Sequence, residues 1–404
     1  MNLLALIEGL AAGDSVPTGV TLEAARCLHS WDKAAACTAC FDICPVAAIR
    51  PDKPPLLDSE RCIRCRACLP GCPVAAYQAA DELAPLFKQA ARLPGGRLEL
   101  ICGPHPYAEL GPAGMTTAVL TRGCLAGLGS GAYLALAALG PSQLHLRTDA
   151  CADCPLGSLQ SEIEAQVAKA QQLLDHWPDT AVIHCTGELN KAQLISRPAR
   201  PANRPALSRR ELFGLEAQQT RSLPHWLNEA DETPDRKRPA PNHHLITAAL
   251  AYLGQPDTEK PLPILDGLGL ATITVAADKC TACGVCARAC PTGALHFDEE
   301  TEADGFRLSL SVPDCVGCGL CDHVCLPEAI VVEPHLAWDQ LFAGEKTRTL
   351  VAGPLAACER CSTKFWSKAG ERYCPICELR RQNPFASIVP PSLKRQMSGR
   401  KQTL

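Results

Sequence analysis

Between residues 97 and 190, short apolar runs alternate with longer segments of helical period. Leu98–Cys102, Thr117–Thr121 and Ala181–Cys185 are short and apolar, and Gln143–Arg147 alternates apolar with polar, so each reads as a strand. Leu125–Leu139 and Gln160–His176 carry their apolar residues at helical spacing. Strands alternating with helices predict a small parallel α/β domain over 97–190. The run Cys124–Gly140 is Gly- and Ala-rich and too short to cross a bilayer, which predicts a buried helix and no transmembrane segment. Residues 81–96 predict a helix and a turn ending at Pro94-Gly95-Gly96. Ala271–Ala276 and Ala329–Val332 are isolated β runs that bracket a turn-rich segment. Over 195–262 the rhythm is lost. Arg197–Pro205 and Asp231–Pro241 are Pro-rich and charged, which predicts a linker. The polar, basic residues 383–404 predict a disordered tail.

Composition changes this picture in one respect. The length of 404 residues fits about three domains, and a net charge of −4 implies no strongly charged partner. The 25 cysteines stand out. Met1–Leu10 has no basic n-region and no small-residue cleavage site, so export and a disulfide framework are not expected. Clustered C-x2-C spacing instead predicts metal sites in a reducing, cytoplasmic setting. With aromatics at 4%, stability is expected to lean on bound metal as well as on apolar burial.

Within 268–335 the chain reads Cys280-Thr-Ala-Cys283-Gly-Val-Cys286-Ala-Arg-Ala-Cys290-Pro291, then Cys315-Val-Gly-Cys318-Gly-Leu-Cys321-Asp-His-Val-Cys325. Two C-x2-C-x2-C-x3-C runs in tandem resemble bacterial ferredoxins that carry two [4Fe–4S] clusters. The resemblance implies crossed ligation: Cys280, Cys283, Cys286 and Cys325 for one cluster, and Cys315, Cys318, Cys321 and Cys290 for the other. A zinc site would want four ligands in two pairs, not eight in two runs of four. Gly284, Gly317 and Gly319 suit loops where backbone approaches sulfur closely.

Residues 1–80 resemble a second such unit. Its latter run, Cys62-Ile-Arg-Cys65-Arg-Ala-Cys68-Leu-Pro-Gly-Cys72, is regular. Its first, Cys37-Thr-Ala-Cys40-Phe-Asp-Ile-Cys44, lacks a cysteine at Ala34. The resemblance implies Cys62, Cys65, Cys68 and Cys44 for one cluster. The other would use Cys37, Cys40, Cys72 and Cys27, with a three-iron cluster or a non-cysteine ligand as the alternatives to Cys27.

In the α/β domain, Cys102, Cys124, Cys151, Cys154 and Cys185 fall at or just after strand ends. Parallel sheets place ligands at the carboxyl ends of their strands. The order of strand, cysteine, Gly-rich helix, strand and C-x2-C resembles the iron–sulfur delta subunit of methyl-viologen-reducing hydrogenase, a domain also fused to heterodisulfide reductases. That resemblance implies a cluster, [2Fe–2S] or [4Fe–4S], on Cys102, Cys124, Cys151 and Cys154, with Cys185 a spare or alternative ligand. It also implies electron exchange with a hydrogenase or formate dehydrogenase. Buried free cysteines are the plainer alternative.

Over 345–382, Cys358-Glu-Arg-Cys361 and Cys374-Pro-Ile-Cys377 form two knuckles that resemble a zinc ribbon, with Zn2+ or a single iron as the S4-bound metal. Ser208-Arg209-Arg210-Glu211-Leu212-Phe213 reads as a capping box rather than an export motif, because no apolar segment follows it. No G-x-G-x-x-G after a strand, G-x-x-x-x-G-K-[ST] or H-E-x-x-H is present, so no substrate-transforming site is expected. Aromatic–basic interleaving is thin, which argues against nucleic acid. The expected fold is a multidomain α+β chain: two ferredoxin-like 2[4Fe–4S] units flanking a parallel α/β domain, with a zinc-ribbon-like knuckle. The expected function is a non-catalytic electron-transfer subunit relaying single electrons through four or more clusters within a larger oxidoreductase complex. An assembly factor for a metalloenzyme and a redox sensor are the alternatives.

Overall fold

Leu98 and Leu100 alternate with Glu99, and this period of two divides the central sheet into an apolar and a charged face. In the computed structural model five strands run parallel in the order Ala199–Pro201, Thr117–Thr121, Arg97–Cys102, Gln143–Arg147, Val182–Thr186. Leu98, Leu100, Val119, Leu144, Leu146 and Ile183 belong to one buried core with helices Gly129–Ala138 and Gln160–Leu174. The chain enters the sheet at Arg97–Cys102 and winds outward to both sides. Its order therefore reverses between Arg97–Cys102 and Gln143–Arg147, where doubly wound sheets form their ligand crevice.

The structure describes residues 19–384 apart from 34, 80–82, 92–95, 116, 178–179, 188, 190–193, 203–236, 257–268, 301–303, 334–335, 337 and 343–346. The readings of Met1–Leu10, of the turn at Pro94-Gly95, of the capping box at Ser208–Phe213 and of the tail from residue 385 lie outside these residues.

Two expectations change here. The helix expected over Leu125–Leu139 is split: a single turn, Leu125–Gly127, precedes the helix Gly129–Ala138. Gly129 stands at φ +85°, and a Cβ there would meet Pro70 at 2.5 Å, so the break fits the chain against the N-terminal unit. The segment 195–262 is not wholly a linker. Leu194–Ser196 pairs with Leu110–Pro112, Ala199–Pro201 joins the sheet edge, and Pro241–Leu253 is a helix. Pro241 supplies the preset φ of a first helical turn, and Leu245, Ile246, Ala249 and Leu250 bury one stripe against Gly129–Ala138. Held between that helix, Gln160–Leu174 and the sheet, all ten residues of Gly129–Ala138 are buried.

The segments 19–79 and 269–333 share one layout. The outer strands pair with each other, Thr21–Leu22 with Tyr77–Gln78 and Thr272–Val275 with Ile330–Glu333. An inner hairpin follows the first cysteine run, Ile49–Arg50 with Leu56–Leu57 and Leu295–Glu300 with Gly305–Ser311. The two differ at the far edge. Thr347–Ala357 pairs along Gly305–Ser311, and Lys364–Trp366 pairs with Thr347–Ala357. The C-terminal four-cysteine unit is thus an extension of the second unit's sheet rather than a separate body. Mixed helix and strand content agrees with the α+β class. The N-terminal unit packs on the later one, with Val316 and Leu320 buried in a core shared with Cys27, Cys40, Cys72 and Tyr77.

Candidate metal centres

Each tandem unit gathers its thiols in two groups, and each group mixes the two runs. Cys280, Cys283, Cys286 and Cys325 line one cavity with Val275, Phe297 and Ile330. Cys44, Cys62, Cys65 and Cys68 line another. In the second group of each unit the thiols stand close enough to repel one another. Cys40 faces Cys37, Cys72 and Cys27, and Cys321 faces Cys318, Cys315 and Cys290. Burial first pushes Cys315 up to about 12 and Cys318 to about 11, with backbone N–H groups opposing it and neighbouring thiols adding to it; in the first group, burial and then Cys283 push Cys286 to about 12. Burial also pushes Cys40 to about 11, against a contribution from Tyr77 that lowers it. Ionising such a set requires a cation among the sulfurs.

The backbone is bent to suit. Arg64 and Arg66, Ala282 and Gly284, and Gly317 and Gly319 all have positive φ, two within each C-x2-C-x2-C loop. The residue three past the last cysteine of each run does the same: Ala47, Ala75, Gly293 and Glu328. A non-glycine residue held there costs roughly 1–2 kcal/mol, and such strain gathers at functional sites. Here it turns N–H groups onto sulfur: Ala48 to Cys44 at 3.3 Å, Ala76 to Cys72 at 3.2 Å and Ala329 to Cys325 at 3.2 Å. The loop Cys37–Cys44 lacks positive φ and is instead the short helix Ala39–Asp42.

Tyr77 lies between the two N-terminal groups. Its hydroxyl is buried with no nitrogen or oxygen partner among the described residues. It faces the Cys40 sulfur, with Cys68 and Cys72 in electrostatic reach. A buried phenol whose surroundings are sulfur fits a metal–sulfide group, which would accept its proton in a hydrogen bond.

In the α/β domain, Cys102, Cys124, Cys151 and Cys154 converge at the sheet's reversal point. Burial and the neighbouring thiols push Cys102 up to about 12 and Cys151 to about 11. Cys185 stands apart. Its register partner is Leu146, and Glu164 is the charged group it faces. The cysteine loop is wound tight, with Cys154 N–H on Cys151 O at 3.1 Å and Gly157 N–H on Cys154 O at 2.8 Å. A Cβ at Gly157 would meet Cys151 O at 2.4 Å, so only glycine fits. Beneath the loop lies a buried ionic cluster. Arg147 donates to Asp149 at 2.6 and 2.9 Å, to Glu99 at 3.1 Å and to Leu110 O at 2.7 Å. His105 meets Asp149 at 3.3 Å, and Arg197 meets Glu99. Burial raises the Asp149 carboxyl, but the Arg147 fork outweighs it and holds the group well below the usual range.

At the C-terminus, the sulfurs of Cys358, Cys361, Cys374 and Cys377 all lie within 4.8 Å of one another. Ser362 at φ 58° closes the first knuckle. Cys374 caps the helix Pro375–Gln382, which carries the second. Cys358 is lowered to about 6, burial being outweighed by the N–H groups of Cys374, Cys361 and Arg360, whereas desolvation leads Cys377 up to about 12. Four thiols so placed offer one metal ion four sulfur ligands.

Residues 279–329 match a family model described as a 4Fe-4S dicluster domain. The match and the cysteine clusters support an iron–sulfur protein. That domain supports an electron-transfer role. No curated protein matches the chain. Among the described residues no helix is long and apolar enough to cross a membrane. Sequence reasoning missed Tyr77 and the Glu99–Arg147–Arg197–His105 cluster. A signal existed for one of these: Glu99 interrupts an otherwise apolar strand, where a charge needs a buried partner.

Proposed function

We propose that the chain relays single electrons between redox proteins through four [4Fe–4S] clusters, a fifth cluster in the α/β domain, and no catalytic site of its own. Cys280, Cys283, Cys286 and Cys325 would hold one cluster, and Cys290, Cys315, Cys318 and Cys321 the next. Cys44, Cys62, Cys65 and Cys68 would hold the third, and Cys27, Cys37, Cys40 and Cys72 the fourth. Cys102, Cys124, Cys151 and Cys154 would hold the fifth. Such clusters supply reversible one-electron chemistry whose potential follows burial and hydrogen bonds to sulfur. The carrying observation is that each cysteine-lined cavity takes three thiols from one run and one from the other, with strained backbone aimed at the sulfurs.

Cys27 fits this scheme. It stands five residues past Leu22, the end of the first outer strand, as Cys280 stands five past Val275. The N-terminal unit thus resembles the later one with a short insertion between its first and second ligands. The C-terminal S4 set would take zinc, which has no redox chemistry and would hold the sheet extension in place. The partners this reading favours are a hydrogenase or formate dehydrogenase, on the resemblance of the α/β domain alone.

The test is anaerobic iron and sulfide assay with EPR of the reduced full chain. The expected content is about sixteen irons from the tandem units plus two to four from the α/β domain. A content near eight sinks the four-cluster reading.

A further inference from the structure

The five thiol groups are spaced along one path, and adjacent groups meet through packing contacts or lie within electrostatic reach of one another. The α/β group meets the N-terminal unit where Cys124 opens the turn Leu125–Gly127. A Cβ at Gly127 would meet Arg66 Cβ at 2.8 Å and Cys65 O at 3.2 Å, so this turn lies directly on the Cys62–Cys68 loop. Cys65 and Cys124 also rest on the same core. Within the N-terminal unit, Tyr77 bridges from Cys68 to Cys40 and Cys72. Across the next boundary, Val316 and Leu320 insert into the N-terminal core, with Cys37 and Cys318 packed at that same contact. His323 and Asp32 flank it at 3.6 Å. Within the last unit, Cys321 lies in electrostatic reach of Cys286.

We propose that the chain is a single unbranched wire running from the Cys102/Cys124/Cys151/Cys154 group, through Cys44/Cys62/Cys65/Cys68, Cys27/Cys37/Cys40/Cys72 and Cys290/Cys315/Cys318/Cys321, to Cys280/Cys283/Cys286/Cys325. The order rests on the relay reading above and goes beyond it, because chain order does not give it. The α/β domain, central in sequence, is one terminus, and the two tandem units meet directly. Burial agrees. In the two groups placed third and fourth, every cysteine but Cys37 and Cys318 is exposed by 9% or less. At the far terminus Cys283 is exposed, and at the near one the four cysteines are all partly open. An external one-electron donor protein would therefore dock at one end and an acceptor protein at the other. Each step oxidises one group by one electron and reduces its neighbour by one, with no bond made or broken.

The test injects electrons at one terminus of the loaded full chain. A ruthenium–polypyridyl photo-donor, with a sacrificial amine as reductant, is attached at Tyr107→Cys in a Cys185→Ser background. Tyr107 is exposed and its N–H bonds His105 beside the Cys102 turn. In the intact chain the Cys280 group's EPR signal grows after illumination. In Cys318→Ser, with about four irons lost, the groups up to Cys27/Cys37/Cys40/Cys72 still reduce, and the Cys280 group's signal fails to grow. Cys37→Ser gives a second reading. It alters the EPR lineshape of the Cys318 group, some 280 residues away in sequence, if the two are neighbours. An unchanged rate in Cys318→Ser overturns the order, as does an unchanged lineshape in Cys37→Ser. A chain that takes up no iron overturns the relay reading itself.

Discussion

Replacing Arg147 by alanine tests the ionic cluster under the α/β cysteine loop. The guanidinium is fully buried and ties together three segments: Glu99 in the first strand, Leu110 in the short pair, and Asp149 at the start of the loop. Its loss leaves fully buried Glu99 with Arg197, and Asp149 with His105. Removing one partner of a buried pair costs about 3–5 kcal/mol when the charge left behind is uncompensated; Arg197 and His105 still face the two carboxylates, so the cost here falls at the low end, about 3 kcal/mol. A domain of roughly a hundred residues shifts its melting point by about 4–8 °C per kcal/mol. The α/β domain of Arg147→Ala should then melt about 12 °C earlier, the product of the two lower bounds. Differential scanning calorimetry of the anaerobic full chain would show this as a separated early transition. Arg147→Lys keeps the charge but loses the fork to Asp149, so it should fall between the two. High salt should change little, since the pair is shielded from ions. A melting point for Arg147→Ala within about 2 °C of the parent would refute the reasoning.

Cys290→Ser should deplete iron from the group of Cys315, Cys318 and Cys321 and leave the Cys280 group's EPR signal in place; loss of the Cys280 signal alone would reverse the ligand assignment. The C-terminal S4 set should yield about one zinc per chain that survives air exposure, read by elemental analysis, and Cys361→Ser should lower it; iron in place of zinc in the full chain would count against it. His145 is held below its ordinary value by burial first, then by His184 and Arg97. Its folded form resists protonation, so the unfolded chain binds more protons as pH falls below about 6.5. Stability should therefore decline below that pH and be restored above it, and His145→Phe should flatten the dependence in urea melts followed against pH.

The cysteine runs, the turn residues between them and the strand rhythm of 97–190 were legible along the chain because each is a local pattern. Thr117–Thr121 and Gln143–Arg147 are strands at the bounds that their apolar runs predict. The fold alone decided what depends on approach between distant segments. Pro241–Leu253 lies in a stretch dominated by proline and charge, and it is a helix because Gly129–Ala138 offers it an apolar face and Asn242 accepts from Gly131 N–H at 2.8 Å. Thr347–Ala357 joined the second unit's sheet because Gly305–Ser311 left a free edge to pair. Cys185 shares its strand-end position with Cys102 in the sequence. Yet register sets it beside Leu146, whereas Cys102 turns into the crevice at the sheet's reversal point. Most of all, nothing in the spacing of Cys37 and Cys318 relates them. They become neighbours because Val316 and Leu320 need burial and the N-terminal core supplies it.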